Sequence, residues 1–567
     1  MEKNKKLIRI HEYEYANDFR RLVEYAAEKY GESTAYIIKN RDNKLKETTY
    51  RNISFREHGE DINALAAYFI AKGFGNDPIA IVGKNSYKWA TSYFACLTAG
   101  IITVPLDKAL PEGELASSIM RSYAKTLIYD PDLEETVEAI KAEIGEDVRL
   151  ISMSEFDAIL SEGRDILQSV NKDKLFSEID PDKLAVILFT SGTTSASKAV
   201  MLSQTNILQN AYDAVTTEDI LHGDVNMAFL PYHHTFGATG QVVMLYAGVT
   251  TAFCDGLKYI QKNLVEYKVS VFVCVPLLIE AIYKKILAGV KKQKAEKKLA
   301  FGIMLTKTLS LAKIDLRRKV FKDIVDQLGG SLRFIISGAS ALDPNVIKGL
   351  EYFGISVIQG YGLTETAPIL SAENMKNRRT GSVGKAMPQV DLKLVDVNSE
   401  GIGQITAKGP NVMLGYFENR QATDEVIKDG WFYTGDLGYI DKDGYIFIKG
   451  RAKNVIVLKN GKNVYPEEIE TLITKLPFVE EVFVFGQEKS ETDLVVTAKI
   501  VYKPDYLEEH MGVKTHDEIK EVIKKEIDKI NETMPQYKHV KRLILTDQPM
   551  IKTTTGKVKR FEEIKGM

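Results

Sequence analysis

Six hydroxyl side chains, one glycine and a terminal cation are packed into Thr190-Ser-Gly-Thr-Thr-Ser-Ala-Ser-Lys198. Backbone N–H groups and O–H donors at such a turn are the inventory that cradles phosphate oxygens, and Lys198 adds a point charge at its far end. The spacing is not that of a Walker A loop, and the turn by itself reads equally well as a solvated loop. Two further stretches suit the same kind of ligand. In Tyr361-Gly-Leu-Thr-Glu365 an aromatic face can stack on a base. Glu365 offers hard oxygen to Mg2+, which keeps most of its shell as phosphate and water. Asp436, in Tyr433-Thr-Gly-Asp436, can accept from both hydroxyls of a ribose, and Arg451 follows as a cation. Taken singly, these are also ordinary turn and surface residues. The pair His233-His234 invites a metal reading, but no HExxH spacing or further ligand accompanies it, so a satisfied core histidine is the default for either. Neither GxSxG nor GxGxxG occurs, which removes the common hydrolase and dehydrogenase signatures.

These groups need a scaffold, and the chain supplies an alternating one. Residues 19–29 read as an amphipathic helix, and Ile62, Leu65, Ala66 and Phe69 mark another at helical spacing. Between helices stand short apolar runs bounded by turns, at residues 79–83, 101–105, 126–129 and 184–189, then 225–230, 269–275 and 332–337. Such alternation predicts an α/β body of parallel strands with helices on both faces. From about Gly381 strands and turns crowd together, with a hairpin expected around Asp443-Gly444. After Gly450-Arg-Ala-Lys453 comes a new α+β unit, with a strand at 455–458 and a helix beginning at Pro466. Its later helix carries Ile519, Val522, Ile523, Ile527 and Ile530 on one face. The division is therefore a body at 1–449, a junction at 450–453 and a small C-terminal domain at 454–567.

With 567 residues, 44% hydrophobic and 27% charged, the chain falls in the soluble globular range and is long enough for several domains. Its 75 basic and 77 acidic side chains leave a net charge of −2, so no global attraction to nucleic acid is expected. Three cysteines without a CxxC pair fit a reducing compartment and exclude a disulfide framework. The charged start Met1-Glu-Lys-Asn-Lys-Lys6 has no apolar signal core, and the longest apolar stretches are too short to span a bilayer. A cytoplasmic location is expected.

In order along nearly the whole chain, a set of motifs resembles the AMP-forming acyl-CoA synthetases of the adenylate-forming superfamily. The hydroxyl-rich loop is similar to the family's TSGTTGxPKG. It is followed by Leu230-Pro-Tyr-His-His-Thr-Phe-Gly237, Ser337-Gly-Ala-Ser340, Tyr361-Gly-Leu-Thr-Glu-Thr366 and Gly409-Pro-Asn-Val-Met-Leu-Gly-Tyr416. Tyr433-Thr-Gly-Asp-Leu-Gly438, Gly450-Arg-Ala-Lys453 and Thr555-Gly-Lys557 complete the set. The resemblance implies a large body of helix-flanked sheets with a smaller β-barrel-like part and a mobile C-terminal domain. It implies a two-step ligase: a carboxylate and ATP give an acyl-adenylate and pyrophosphate, and coenzyme A then takes the acyl group and releases AMP.

By the same resemblance, Thr190, Ser191, Gly192, Thr193, Thr194 and Lys198 hold the phosphates, and Ser340 belongs to the nucleotide site. Tyr361 stacks on adenine, Thr364 touches the α-phosphate, Glu365 holds Mg2+, Asp436 takes the ribose and Arg451 adds charge to the same nucleotide. His234, not His233, stands at the wall between the acyl and nucleotide sites. Lys557 reaches the site in the first half-reaction and offsets repulsion between carboxylate and phosphate. Lys453 is the hinge about which the small domain swings for the second. Ser195, Ser197 and Ala199 stand where the family has Gly, Pro and Gly, so a tighter loop is expected, since Ser and Ala lack glycine's access to positive φ. Lys459-Asn-Gly461 replaces the more usual Ser-Gly-Gly beside the thiol channel, and Ile551 stands where Pro is usual.

Peptide-synthetase relatives carry an Asp near the His234 motif, which is absent here, so amino acids are not expected. Gly362 stands where acetate-type relatives have Trp, and the open volume suits several methylenes, each worth about 0.8 kcal/mol when buried. A medium- or long-chain fatty acid is the expected substrate. An acyl carrier protein is the alternative thiol partner, and a non-catalytic homologue that only binds nucleotide or acyl chains is the alternative class. Residues 284–298 are strongly basic; a solvated helix face is the commoner reading of such a run, and peripheral contact with an anionic membrane surface is the other.

Overall fold

The computed structural model describes residues 5–42, 47–190, 197–490, 493–552 and 558–565. Two large sheets dominate the N-terminal body. One runs Gly415–Tyr416, Lys198–Ser203, Leu184–Thr190, Thr103–Leu106, Ile79–Val82, Thr126–Tyr129, Arg149–Ser152. In the other, Ser356–Gly362, Phe334–Ser337, Val271–Cys274, Val225–Ala228 and Thr250–Phe253 form a parallel centre. Ile369–Ala372 and Lys385–Ala386 extend it antiparallel at one edge, and Thr34–Asp42 with Glu47–Ser54 close the other.

Strand periodicity sorts these side chains into layers. Ile79 and Ile81 turn into a core shared by both sheets, while Ala80 and Val82 face a separate cluster with Val137 and Ile140. In the second sheet Val271 and Val273 join the shared core, and Phe272 and Cys274 face a cluster with Ile279 and Leu350. Strands covered on both faces must be apolar at every position, which is why they read as unbroken runs rather than alternating ones. Helices Phe55–Ala71, Tyr87–Thr98, Gln204–Thr217 and Thr235–Ala247 fill the shared layer. Ile62, Leu65, Ala66 and Phe69 are all buried there, at the spacing expected of them. The apolar run at 269–275 yields only Val271–Cys274 as strand, because its ends turn into a loop and a Pro-started helix.

Where a barrel-like part is expected, Asp391–Val395, Gly403–Lys408, Trp431–Ile440, Ile427–Lys428 and Ile446–Arg451 form an antiparallel sheet. The Asp-Gly hairpin is the Trp431–Ile440/Ile446–Arg451 pair, with Tyr439 and Phe447 stacked at 4.6 Å.

The C-terminal unit has its own core. Helices Pro466–Ile473 and His516–Glu532 pack on a sheet of Val479–Ser490, Asp493–Tyr502 and Arg542–Thr546. Ile519, Ile523 and Ile527 are buried against it, and Val522 and Ile530 are half-buried at its margin. The unit docks on the body through a few polar contacts. Glu468 sits between Lys449 and Lys538 at 2.6 and 2.7 Å, and Lys475 reaches Asp343 at 3.6 Å. Gly450 passes so close to the helix Pro466–Ile473 that a Cβ there would lie 2.4 Å from Glu467 Oε2.

Candidate active site

Carboxyl ends of parallel strands are where an α/β sheet leaves backbone groups open to a ligand, and the chemistry-bearing residues gather there. Leu184–Thr190 and Lys198–Ser203 form an antiparallel pair whose last register partners are Thr190 and Lys198. Thr190 Oγ1 donates to the Lys198 carbonyl at 3.2 Å. Ser191, Gly192, Thr193, Thr194 and Ser195 lie outside the described residues. Ser197 and Ala199 carry no positive φ, and Ala199 is buried in the core behind the strand pair. Arg121 holds the loop's exit. Its guanidinium donates to the Ser197 hydroxyl at 3.0 Å and to the Ser197 carbonyl at 2.7 Å. A proline at 197 would offer no hydroxyl for the first of these bonds.

Glu365 lies in the 3-10 turn Thr364–Thr366, which follows the strand Ser356–Gly362; Thr364, half-buried, opens the turn. The segment 409–417 ties this turn to the strand Lys198–Ser203. Met413 N donates to the Glu365 carbonyl at 2.9 Å, and Leu414 N and Phe417 N donate to Met201 and Ala199 carbonyls at 3.0 and 2.8 Å. Asn411 Nδ2 adds a bond to the Thr366 carbonyl at 2.9 Å. At the end of the strut, Tyr416 Oη donates to Glu365 Oε1 at 2.9 Å while Lys198 Nζ lies 4.4 Å from the Tyr416 ring centre. Burial, reinforced by the Glu365 charge, pushes the Tyr416 phenol far above its ordinary range and keeps it a donor.

Across the opening stands Asp436, on the strand Trp431–Ile440. Thr434 Oγ1 donates to the Ile405 carbonyl at 2.7 Å and accepts from Asp436 N at 3.0 Å, which fixes the strand at that point. The Asp436 carboxylate takes Tyr361 Oη on Oδ2 at 2.7 Å and Arg451 Nε on Oδ1 at 2.8 Å. Burial and the Asp436 charge raise the Tyr361 phenol well above its usual value. Next in the chain, Lys453 is pushed down by burial and then by Arg451, Arg560 and Lys198, with Asp436 opposing. Cations from both domains therefore share one field, the arrangement that draws in a polyanion.

His234 caps the helix Thr235–Ala247: its Nδ1 accepts from Phe236 N at 3.3 Å, which assigns the ring hydrogen of the neutral form to Nε2. His233 turns away to Asp107 at 3.5 Å, and burial lowers its pKa. Ser340 is exposed on the loop after Phe334–Ser337, beyond Ala339 at φ 74°. Ser337 itself keeps a buried hydroxyl without a partner among the described residues. Lys557 lies outside the described residues; Lys552 and Val558 pair across the ends of its segment.

Gly362 does not do what its missing side chain suggests. A Cβ there would lie 1.7 Å from the Pro368 carbonyl oxygen, so the backbone, not an acyl pocket, demands glycine. The open space lies elsewhere. Gly240 is half-exposed in the mostly buried helix Thr235–Ala247, and a Cβ at Gly240 would meet no atom within 4 Å. One turn earlier Phe236 packs against Gly338 at the end of the strand Phe334–Ser337. Sequence reasoning did not assign Arg121 and Tyr416 to the site, because their partners Ser197 and Glu365 are brought to them only by the tertiary fold.

A Mg2+ ion fits this donor set. Among the described residues no group of three or more His, Cys, Asp or Glu gathers as a metal cage. A single carboxylate at Glu365 beside a phosphate loop is what Mg2+ uses when phosphates and water fill its shell.

Comparison with known proteins agrees in extent and order. Residues 23–417 match the AMP-binding enzyme family, and residues 453–565 match the AMP-binding enzyme C-terminal domain. The chain is 27% identical over 567 residues to the peroxisomal long chain acyl-CoA synthetase 7 of Arabidopsis thaliana, covering 90% of this chain and 80% of the relative. It is 26% identical over 552 residues to a chloroplastic long-chain-fatty-acid–acyl-carrier-protein ligase of the same plant, covering 83% and 75%. The fold matches that of ATP-bound MatB from Rhodopseudomonas palustris at a TM-score of 0.74 and 23% identity, covering 97% of this chain and 99% of that one.

Proposed function

The chain belongs to the AMP-binding enzyme family, and from that premise we propose that it is an AMP-forming acyl-CoA synthetase acting on a medium- or long-chain fatty acid. A carboxylate oxygen attacks the α-phosphorus of ATP, the bond to the β-phosphate oxygen breaks, and pyrophosphate leaves. The thiol sulfur of coenzyme A then attacks the acyl carbon, the acyl–phosphate bond breaks, AMP leaves and the thiol proton passes to solvent.

The observation that carries this reading is the convergence of Tyr361, Asp436 and Arg451 on one side and Lys198, Tyr416 and Glu365 on the other. Asp436 positions the ribose and Tyr361 offers its ring to the base. Thr190, Lys198 and the hydroxyl loop hold the phosphates, and Thr364 faces the α-phosphate. Glu365 would hold Mg2+, which would supply positive charge to the phosphate oxygens. His234, with its hydrogen on Nε2, orients the fatty carboxylate without adding a permanent charge. Lys557 offsets repulsion between the two anions in the first step. Rotation about Lys453 then withdraws it and admits the thiol. The acyl chain follows the open space beside Gly240. We place the reaction in the cytoplasm with peripheral contact at a membrane surface; Cys96, Cys254 and Cys274 are all free thiols, and no described helix is long and apolar enough to cross a membrane.

The test is release of AMP and pyrophosphate across a panel of acids with coenzyme A, repeated with an acylatable carrier protein as thiol. Lys557→Ala should lose pyrophosphate exchange yet still convert supplied acyl-adenylate to thioester. No release above background with any acid overturns the enzymatic reading.

A further inference from the structure

The helix Glu296–Leu311 is apolar on two faces, and only one of them is covered. Leu299, Gly302, Ile303 and Thr306 face inward, where Gly302 lies under the Phe321 ring. On the outward side Phe301, Met304, Leu305 and Leu311 recur at helical spacing with 60%, 59%, 38% and 87% exposure. A surface helix normally spends its outer face on polar side chains, and one that does not has a missing neighbour.

The surroundings say what that neighbour is. Between 284 and 298 the chain carries seven lysines against one glutamate. All seven are exposed, and among the described residues none forms an ion pair with an acidic side chain. The preceding helix, Pro276–Lys292, adds exposed Leu277 at its start and exposed Leu287 between Lys285 and Lys291. Lys285 then shares a shallow depression with Lys258, Lys262, half-exposed Val265 and Glu266, whose charge is already taken by Lys39, so the basic and apolar surface continues onto the turn Leu257–Tyr259 and the helix Ile260–Glu266. An apolar strip framed by unpaired cations complements the two layers of an anionic bilayer, acyl chains below and charged headgroups above.

We propose that this face is the docking surface for an anionic lipid membrane, with the Phe301–Met304–Leu305 strip entering the headgroup boundary. The proposal rests on the fatty-acid reading only for its purpose, since delivery from a bilayer suits an insoluble substrate; binding itself needs no substrate.

Co-sedimentation of the full chain with phosphatidylcholine vesicles, with and without phosphatidylglycerol and at low and high salt, tests it. The chain should bind the anionic vesicles, and salt should weaken that binding. Replacing Phe301, Met304 and Leu305 together by Ser should reduce binding by roughly tenfold or more, and Lys291→Glu with Lys292→Glu should do likewise. Both variants should keep wild-type thioester formation with a short soluble acid, which checks folding and separates docking from the proposed chemistry. Equal binding to neutral and anionic vesicles overturns the proposal, as does binding that neither variant changes. A concentration-dependent dimer without vesicles, abolished by the triple Ser variant, assigns the face to a second copy of the chain instead.

Discussion

Tyr361 and Asp436 meet through a 2.7 Å hydrogen bond across 75 residues of chain, linking the second large sheet to the small antiparallel one. The same carboxylate is gripped by Arg451, so its position is set from both sides before any nucleotide arrives. Asp436→Ala should raise the KM for ATP by about 10- to 100-fold, since charge-assisted bonds to the ribose are lost. Tyr361→Phe keeps the stacking face and should cost only about two- to tenfold. Initial-rate kinetics with varied ATP separates the two; equal effects would mean Asp436 serves the fold rather than the ligand.

Arg121 provides the second test. Its two bonds to Ser197 make it a positioning residue for the loop proposed to hold the phosphates. Arg121→Ala should raise the KM for ATP and for pyrophosphate by about three- to tenfold with little change in the acid's KM. Ser197→Pro in the Arg121→Ala background should add little, because both remove the same hydroxyl contact. An unchanged KM for ATP would leave the contact merely structural.

Two glycines separate pocket from backbone. Gly240→Phe should shift preference toward shorter acids, because the ring enters open space beside Phe236. Gly362→Ala should lower activity toward every acid alike, because its methyl would force the Pro368 carbonyl away and disturb the turn that carries Glu365. Chain-length profiles with saturated acids decide the matter. A changed profile in the Gly362 variant and none in the Gly240 variant would reverse the assignment.

Glu373 gives a pH signature to the sheet edge that carries Tyr361. Its carboxylate accepts from Gln359 N at 3.2 Å and from Arg379 N at 2.9 Å, yet burial dominates and raises its pKa from 4.5 to about 7. Between those values the folded chain holds a proton that the unfolded chain has released, so stability contributed here falls as pH rises from 4.5 to about 7. The full swing is up to about 3 kcal/mol. Glu373→Gln cannot titrate, so thermal melting should show a flatter dependence on pH over that window than wild type. Parallel curves would exclude the linkage.

Much of this was legible in the sequence. The unbroken run at 79–82 means a strand buried on both faces, and Ile79 and Ile81 do face a different layer from Ala80 and Val82. The spacing of Ile519, Ile523 and Ile527 likewise identifies a helix and its buried side. Tyr361 and Asp436 stand out by residue type, and the structure does bring them into one hydrogen bond. Arg121 and Tyr416 do not stand out, since 76 and 51 residues separate them from Ser197 and Glu365. Gly362 misleads because a sequence shows that a side chain is missing but not which atoms it would have met. Gly240 carried a faint signal: a glycine costs an interior helix about 1 kcal/mol, which asks for a reason.

Arg451 ends the strand Ile446–Arg451 and leads directly into the turn Ala452–Asn454 that opens the small domain. The guanidinium that clasps Asp436 is therefore mounted on the seam itself. If the small domain turns about Lys453, the strain of that turn falls first on the clasp, and letting go of spent AMP becomes part of resetting the machine rather than a separate event. Turnover would then be paced by one mechanical cycle, with product exit and readiness for fresh ATP arriving together.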